Sequence, residues 1–180
     1  MARTLQSQIL HALSSAPDID FPVTAETLPL APPSDELSSD VVAVLYLYHI
    51  EIDPHLRNRK LIPDSADPSL MIKPPLPLQL RFLFVPLSTD DDRNQLMLGR
   101  VLQHFHDTPS FRPIPGSPLG TSRGGAPAQL RVRFDLTSYQ DLAQLWSGLS
   151  RPFRLSAGLL VDIVTIDSAW PPKKCLAPGR

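Results

Sequence analysis

Twenty-one prolines in 180 residues, about double the usual share, limit where this chain can build regular structure. Proline lacks a backbone donor and its ring clashes inside a helix, so helices and central strands must fall between prolines. The proline-free windows run over residues 1–16, 34–53, 78–85, 87–108, 128–151 and 153–170. With only 8 glycines beside them, the two residue types stay well below the roughly 25–30% at which composition alone argues for disorder. A chain of this length buries about 70% of its unfolded surface as one domain. The expectation is one domain over residues 1–170 and a flexible tail over residues 171–180.

Each window carries its own hydrophobic period. Leu5, Ile9, Leu10 and Leu13 mark one face of a helix closed by Pro17. Val42 to Asp53 alternates as a strand, apolar on both faces in its first half, so that half is expected to be central in the sheet. A possible short strand precedes it near Val23 to Leu28. Leu78, Leu80, Phe82 and Phe84 define a second strand between Pro77 and Pro86. Ser88, Thr89 and the acids Asp90, Asp91 and Asp92 suit a helix N-terminus, and Leu98, Val101, Leu102 and Phe105 continue that helix to Pro109. A further strand turns Leu130, Val132, Phe134 and Leu136 inward and Arg131, Arg133 and Asp135 outward. Ser138 and Asp141 then open a third helix bearing Leu142, Leu145, Trp146 and Leu149. A last strand is expected from Phe153 to about Ser168. The fold class is α+β, a single mostly antiparallel sheet with helices packed on it. Two irregular connectors, Pro54 to Pro77 and Pro109 to Pro127, are expected to be exposed, and their prolines reduce the entropy lost when such loops order.

Charge and motifs exclude more than they identify. Seventeen basic and eighteen acidic residues leave a net charge of −1, so no global field draws the chain onto a phosphate backbone. Arg81, Arg131 and Arg133 line up as a basic patch on the sheet, yet no aromatic residue is interleaved to stack bases. No apolar run approaches the roughly 18 residues of a membrane span, and the first 13 residues lack the continuous apolar stretch of a cleaved signal. The single cysteine, Cys175, forms no intrachain bridge and suits a reducing compartment. His104, His106 and Asp107 suggest a metal run, but residues two apart on a helix point about 200° away from each other, so a helix end is the better reading. The stretch around Ser117, Ser122 and Gly124 has no phosphate-loop pattern, and no nucleophile elbow, dinucleotide fingerprint or zincin motif occurs. No cofactor, metal or catalytic residue is assigned. The stripe of Leu142 and Trp146 reads as core. Trp170, ahead of Pro171 and Pro172, either closes the core or presents a hydrophobic foot to a neighbouring subunit.

The ordered blocks LYHIEIDPHLRNRK (Leu47 to Lys60), PPLPLQLRFLFVPLS (Pro74 to Ser88), LGRVLQHFHDTPSF (Leu98 to Phe111) and DLAQLWSGLSRPFRLSAGLLVDIVTIDS (Asp141 to Ser168) together resemble one family. It is the tail-terminator or cap protein of contractile injection systems, phage-tail-like particles related to virulence cassettes and antifeeding prophages. The resemblance spans roughly residues 3–168. It implies a phage tail-terminator-like fold and a structural, non-enzymatic role. The implied assembly is a homo-hexamer, a ring on the baseplate-distal end of the inner tube that stops growth and caps the sheath. The implied partners are the inner tube protein and the sheath protein of the same particle, with no nucleic acid and no direct membrane insertion.

The resemblance also implies assembly in the bacterial cytoplasm, the finished particle being released or membrane-anchored. Some members carry a further C-terminal domain; this sequence is expected to lack it, ending about a dozen residues past the last strand. The loop Asp53, His55, Arg57, Asn58, Arg59 and Lys60 is the expected protein interface, being polar, placed just past a buried strand and inside a matching block. Taken without the resemblance, the same loop reads as a solvated basic turn. Two other functions stay open: a phage tail terminator or head-to-tail connector, and a small-ligand-binding or hydrolytic α+β domain.

Overall fold

A computed structural model describes residues 1–34, 37–52, 60–64, 67–112, 129–135 and 137–174, with the backbone alone at residue 163. Helix α1, Ala2–Ser14, buries Leu5, Ile9 and Leu13, the face its periodicity marks. Helix α2, Asp91–Asp107, starts where Asp90 accepts a hydrogen bond from the amide of Asp92, with Asp91 and Asp92 in the first turn against the positive end of the dipole. Helix α3, Tyr139–Gly148, is capped by Ser138, which accepts from the amide of Asp141. It closes on Ser150 at φ 54, whose amide donates to the Ser147 carbonyl while that of Arg151 reaches Trp146, a Schellman stop built on serine.

The main sheet joins β1 (Ala43–Ile52), β4 (Leu76–Pro86), β7 (Ala157–Ile166), β6 (Leu130–Phe134) and β5 (Ser110–Phe111) in that order, every pairing antiparallel. Helices cover both faces. On one face α1 and α2 pack Leu5, Ile9, Met97, Val101 and Phe105 against Leu45, Phe82, Phe84, Val132 and Val161. On the other face Trp146 of α3 rests with Val44, Leu83 and Val85, and Leu142, Leu145 and Leu149 flank it. A separate small ribbon pairs β2 (Ile62–Pro63), β3 (Leu70–Ile72) and β8 (Lys173–Lys174). The connector expected to be irregular between Pro54 and Pro77 thus supplies two short strands. Within it Ile72 and Asp64 are buried, and β8 gives the expected tail a pairing at Lys173–Lys174.

Four expectations differ from the structure for identifiable reasons. Strand β1 is at the sheet edge, not its centre; its double burial comes from helices on both faces. Its outer edge is not left bare, because the Thr27 carbonyl accepts from the amides of Val42 and Ala43 and the Pro29 carbonyl accepts from Leu45. The strand expected near Val23 to Leu28 is instead a turn in which Thr24 and Thr27 exchange side-chain and backbone hydrogen bonds. Gln6 of α1 pins it by donating to the Leu28 carbonyl at 2.7 Å. Strand β7 begins at Ala157 rather than Phe153, and Phe153 and Leu155 lie exposed. Finally, Phe134 at the end of β6 is exposed, whereas Asp135, expected outward, is drawn against the sheet.

Two bulges explain why alternation misleads near strand ends. Leu78 pairs with Val164 but Leu80 pairs with Val161, so β7 carries an extra residue and buries both Val161 and Val164. On β1 the register shifts between Leu47 and His49. Beyond that bulge Ile50 and Ile52 emerge into solvent.

Candidate functional site

Five of the six residues expected to form an interface, Asp53, His55, Arg57, Asn58 and Arg59, lie outside the described residues. So do Cys175, Leu136 and the glycine-rich connector over residues 113–128. Lys60, the sixth, is exposed and lines a cavity of about 400 Å³ with Leu61, Met71, Lys73, Trp170, Pro171 and Lys173. Here the ribbon brings together segments more than a hundred residues apart, through the pairings Met71 with Lys173 and Leu70 with Lys174. Trp170 does not close the core: it is 52% exposed, with the Lys73 and Lys173 ammonium groups 5.9 and 5.3 Å from its ring centre. Sequence reasoning left Lys73, Lys173 and Lys174 unassigned, because their juxtaposition depends on a long-range pairing.

The basic patch expected on the sheet is largely neutralised. Arg81 donates to Asp135 at 2.6 Å and stands 3.7 Å from Glu51, while Arg133 pairs with Asp162; Arg131 remains exposed. Asp135 also accepts from the Tyr48 hydroxyl at 2.8 Å, and its side chain is 6% exposed. Burial alone would raise the Asp135 carboxyl, but hydrogen bonds from Arg81, Tyr48 and Thr137 outweigh it and hold the group below the ordinary carboxylate value. Burial also raises the Tyr48 phenol, with its bond to Asp135 adding to that. Gly158 makes this possible: a Cβ there would lie 2.9 Å from that of Asp135, whose amide donates to the Gly158 carbonyl. Sequence reasoning missed both acids; the signal available was a carboxylate within the apolar run of β7, Asp162, and another directly after β6, Asp135.

His104 and His106 both lie inside α2. His104 meets the ring of His11 edge-on at 6.2 Å, and its own protonation is disfavoured first by burial and then by His11, with Asp107 opposing. Among the described residues no group of three His, Cys, Asp or Glu side chains is placed to hold a metal ion. A cavity of about 650 Å³ beside the start of α2 is lined by Asp91, Asn94 and Arg154 together with Ser88 and Thr89. Its lining has no cysteine to serve as a nucleophile and no histidine to activate the Ser88 or Thr89 hydroxyl. No described helix is long and apolar enough to cross a membrane.

An antiparallel sheet covered by helices on both faces, with a small separate ribbon beside it, defines an α+β scaffold. The family model of the Pvc16 N-terminal domain matches residues 1–176, and the chain belongs to that family. Its fold is that of tail-terminator structures. It superposes on the sheath/tube terminator, in the extended state, of PVC, an extracellular contractile injection system solved by cryo-electron microscopy. The TM-score is 0.62 at 15% identity, over 100% of this chain and 62% of that one. It also superposes on the tube-terminating cap of the anti-feeding prophage, at TM-score 0.57 and 13% identity, over 99% of this chain and 58% of that one. The chain therefore spans about three fifths of the length of the terminators it resembles. No curated protein sequence matches it.

Proposed function

We propose that this chain is a structural cap of a contractile injection system, seated on the baseplate-distal end of the inner tube and sheath. The observation that carries the reading is its membership of the Pvc16 N-terminal family over residues 1–176; the fold it shares with two terminators adds support. In this reading copies join head to tail into a closed hexameric ring, since a heterologous contact closes into a ring when its rotation does. One face of the ring matches the last layer of tube; the other offers no seat for a further layer, so polymerisation stops. The partners are the tube and sheath proteins, assembly takes place in the bacterial cytoplasm, and the role is non-enzymatic. The loop Asp53, His55, Arg57, Asn58, Arg59 and Lys60 is the proposed contact with the neighbouring subunit or with tube and sheath.

Electron microscopy of particles from a strain deleted for this chain tests the role. Tubes and sheaths of uncontrolled or unstable length are expected; particles of unchanged length and stability would overturn it. Replacing Arg57 and Arg59 with Glu is expected to disturb ring formation while leaving the monomer folded by circular dichroism. Normal rings from that variant would remove the loop from the interface without touching the cap reading.

A further inference from the structure

All four lysines of the sequence, Lys60, Lys73, Lys173 and Lys174, stand on or beside the three-stranded ribbon, and all four are exposed. Among the described residues none lies within salt-bridge distance of a carboxylate, whereas four of the arginines, Arg81, Arg93, Arg100 and Arg133, are paired. Three of these lysines, Lys60, Lys73 and Lys173, line the cavity of about 400 Å³ whose remaining lining, Leu61, Met71, Trp170 and Pro171, is apolar. That volume falls in the range of ligand-holding pockets. The antiparallel register also puts Ile52 of β1, Leu76 of β4 and Ile166 of β7 at one end of the main sheet, Leu76 three residues along the chain from Lys73 and Ile166 four from Trp170. All three are exposed, as are Leu61, Ile62 and Trp170. An exposed apolar recess rimmed by polar groups, as here, marks an interaction site.

We propose that the ribbon is a docking site for an acidic peptide segment of a partner protein, one that alternates carboxylates with a bulky apolar anchor. The anchor enters the cavity against Leu61, Met71 and Trp170, and the flanking carboxylates meet Lys60, Lys73, Lys173 and Lys174. Charge complementarity selects the occupant. Unpaired ammonium groups with three rotatable donors each follow a carboxylate-rich strand without the fixed fork an arginine would impose. Nucleic acid fits less well, because Lys73 and Lys173 already stand over the Trp170 ring on which a base would stack. A lipid surface fits less well because the apolar residues line a recess, which accepts a side chain rather than entering a bilayer. The inference does not depend on the cap reading.

The test uses the full chain and a fluorescein-labelled octapeptide in which Glu and Asp alternate with Leu and Phe, followed by fluorescence anisotropy. A dissociation constant in the tens of micromolar is expected, about the range of short peptide motifs held by one pocket. Binding should weaken at least tenfold in the double variant Lys73→Glu, Lys173→Glu, and severalfold when salt is raised about tenfold from low ionic strength. Trp170 emission should shift to the blue on binding, against a constant signal from buried Trp146. The exposed lysine substitutions are expected to leave the circular dichroism and melting temperature unchanged. Lys174→Glu is a milder second variant, expected to weaken binding severalfold, should the double one unfold. No binding, or equal binding by the peptide with every carboxylate replaced by its amide, would overturn the proposal. So would capture of phosphatidylserine vesicles or of an oligothymidylate in place of the peptide.

Discussion

Replacing Arg81 with Met isolates the energetics of the network that ties β4 to β1 and to the end of β6. The substitution keeps most of the aliphatic stem but removes the guanidinium that lies 2.6 Å from Asp135. The Asp135 carboxylate, 6% exposed, would keep only Tyr48 and Thr137 as donors. Breaking a buried pair by removing one partner costs about 3–5 kcal/mol. Because Arg81 is 29% exposed, water partly replaces it, and the lower end, about 3 kcal/mol, is expected at pH 7. Asp135→Asn is expected to cost less, about 1–2 kcal/mol. It leaves behind a guanidinium that is more exposed and already has Glu51 3.7 Å away.

Urea unfolding followed by the emission of Trp146, buried against Val44, Leu83 and Val85, measures both variants. The larger loss corresponds to a midpoint shift of about 1–3 M at the usual urea slopes. The pH dependence distinguishes a charge effect from simple loss of packing. In the native protein Asp135 is held below its ordinary value, so its contribution is full above the unfolded pKa of about 3.9 and is lost as pH falls through the folded one. Without Arg81 the folded carboxyl titrates higher, and protonation relieves it earlier. The gap between native and Arg81→Met stability should therefore narrow as pH falls below about 5. A gap constant from pH 7 to pH 4, or a larger loss for Asp135→Asn than for Arg81→Met, would refute the assignment.

Gly158→Ala places a methyl 2.9 Å from the Asp135 Cβ; it should cost about 1–3 kcal/mol. Its effect should also be less than additive with Arg81→Met, since both act on one carboxylate, which a double-mutant cycle in urea checks. His104 is held below its ordinary value by burial and by His11, so the unfolded chain takes up its proton first and stability falls as pH drops below about 6.5. His104→Gln is expected to flatten that slope between pH 7.5 and 5.5 in thermal melts; an unchanged slope would place its origin elsewhere.

The helices were legible because proline acts locally: Pro17, Pro86 and Pro109 bound α1 and α2 through their own ring geometry, whereas β4 takes both Pro77 and Pro86, expected to lie outside it, into the strand. What local pattern could not show was pairing. Apolar residues on both faces of β1 signal two covering layers, which is a different property from two flanking strands; the edge is closed by carbonyls of Thr27 and Pro29 that belong to a turn. The bulge opposite Leu78 and Leu80 lets Val161 and Val164 share a face, which strict alternation forbids. Asp135, Asp162 and their arginine partners lie 54 and 29 positions apart in sequence and meet only once β4, β6 and β7 are in register.

Catalytic sites and docking surfaces leave different marks in a sequence. Catalysis requires a few atoms at bonding distance, often supplied by a short segment with fixed spacing, whereas docking requires area and charge of one sign. On the ribbon that area is assembled from Lys60–Leu61, Met71–Lys73 and Trp170–Lys173, and its charge comes from lysines that stand far apart in the sequence. Guanidinium favours fixed, planar pairing with a carboxylate, and ammonium tolerates a partner whose geometry is not preset. The arginines that meet carboxylates, Arg81, Arg93, Arg100 and Arg133, hold this fold together, whereas among the described residues the ribbon lysines meet no carboxylate.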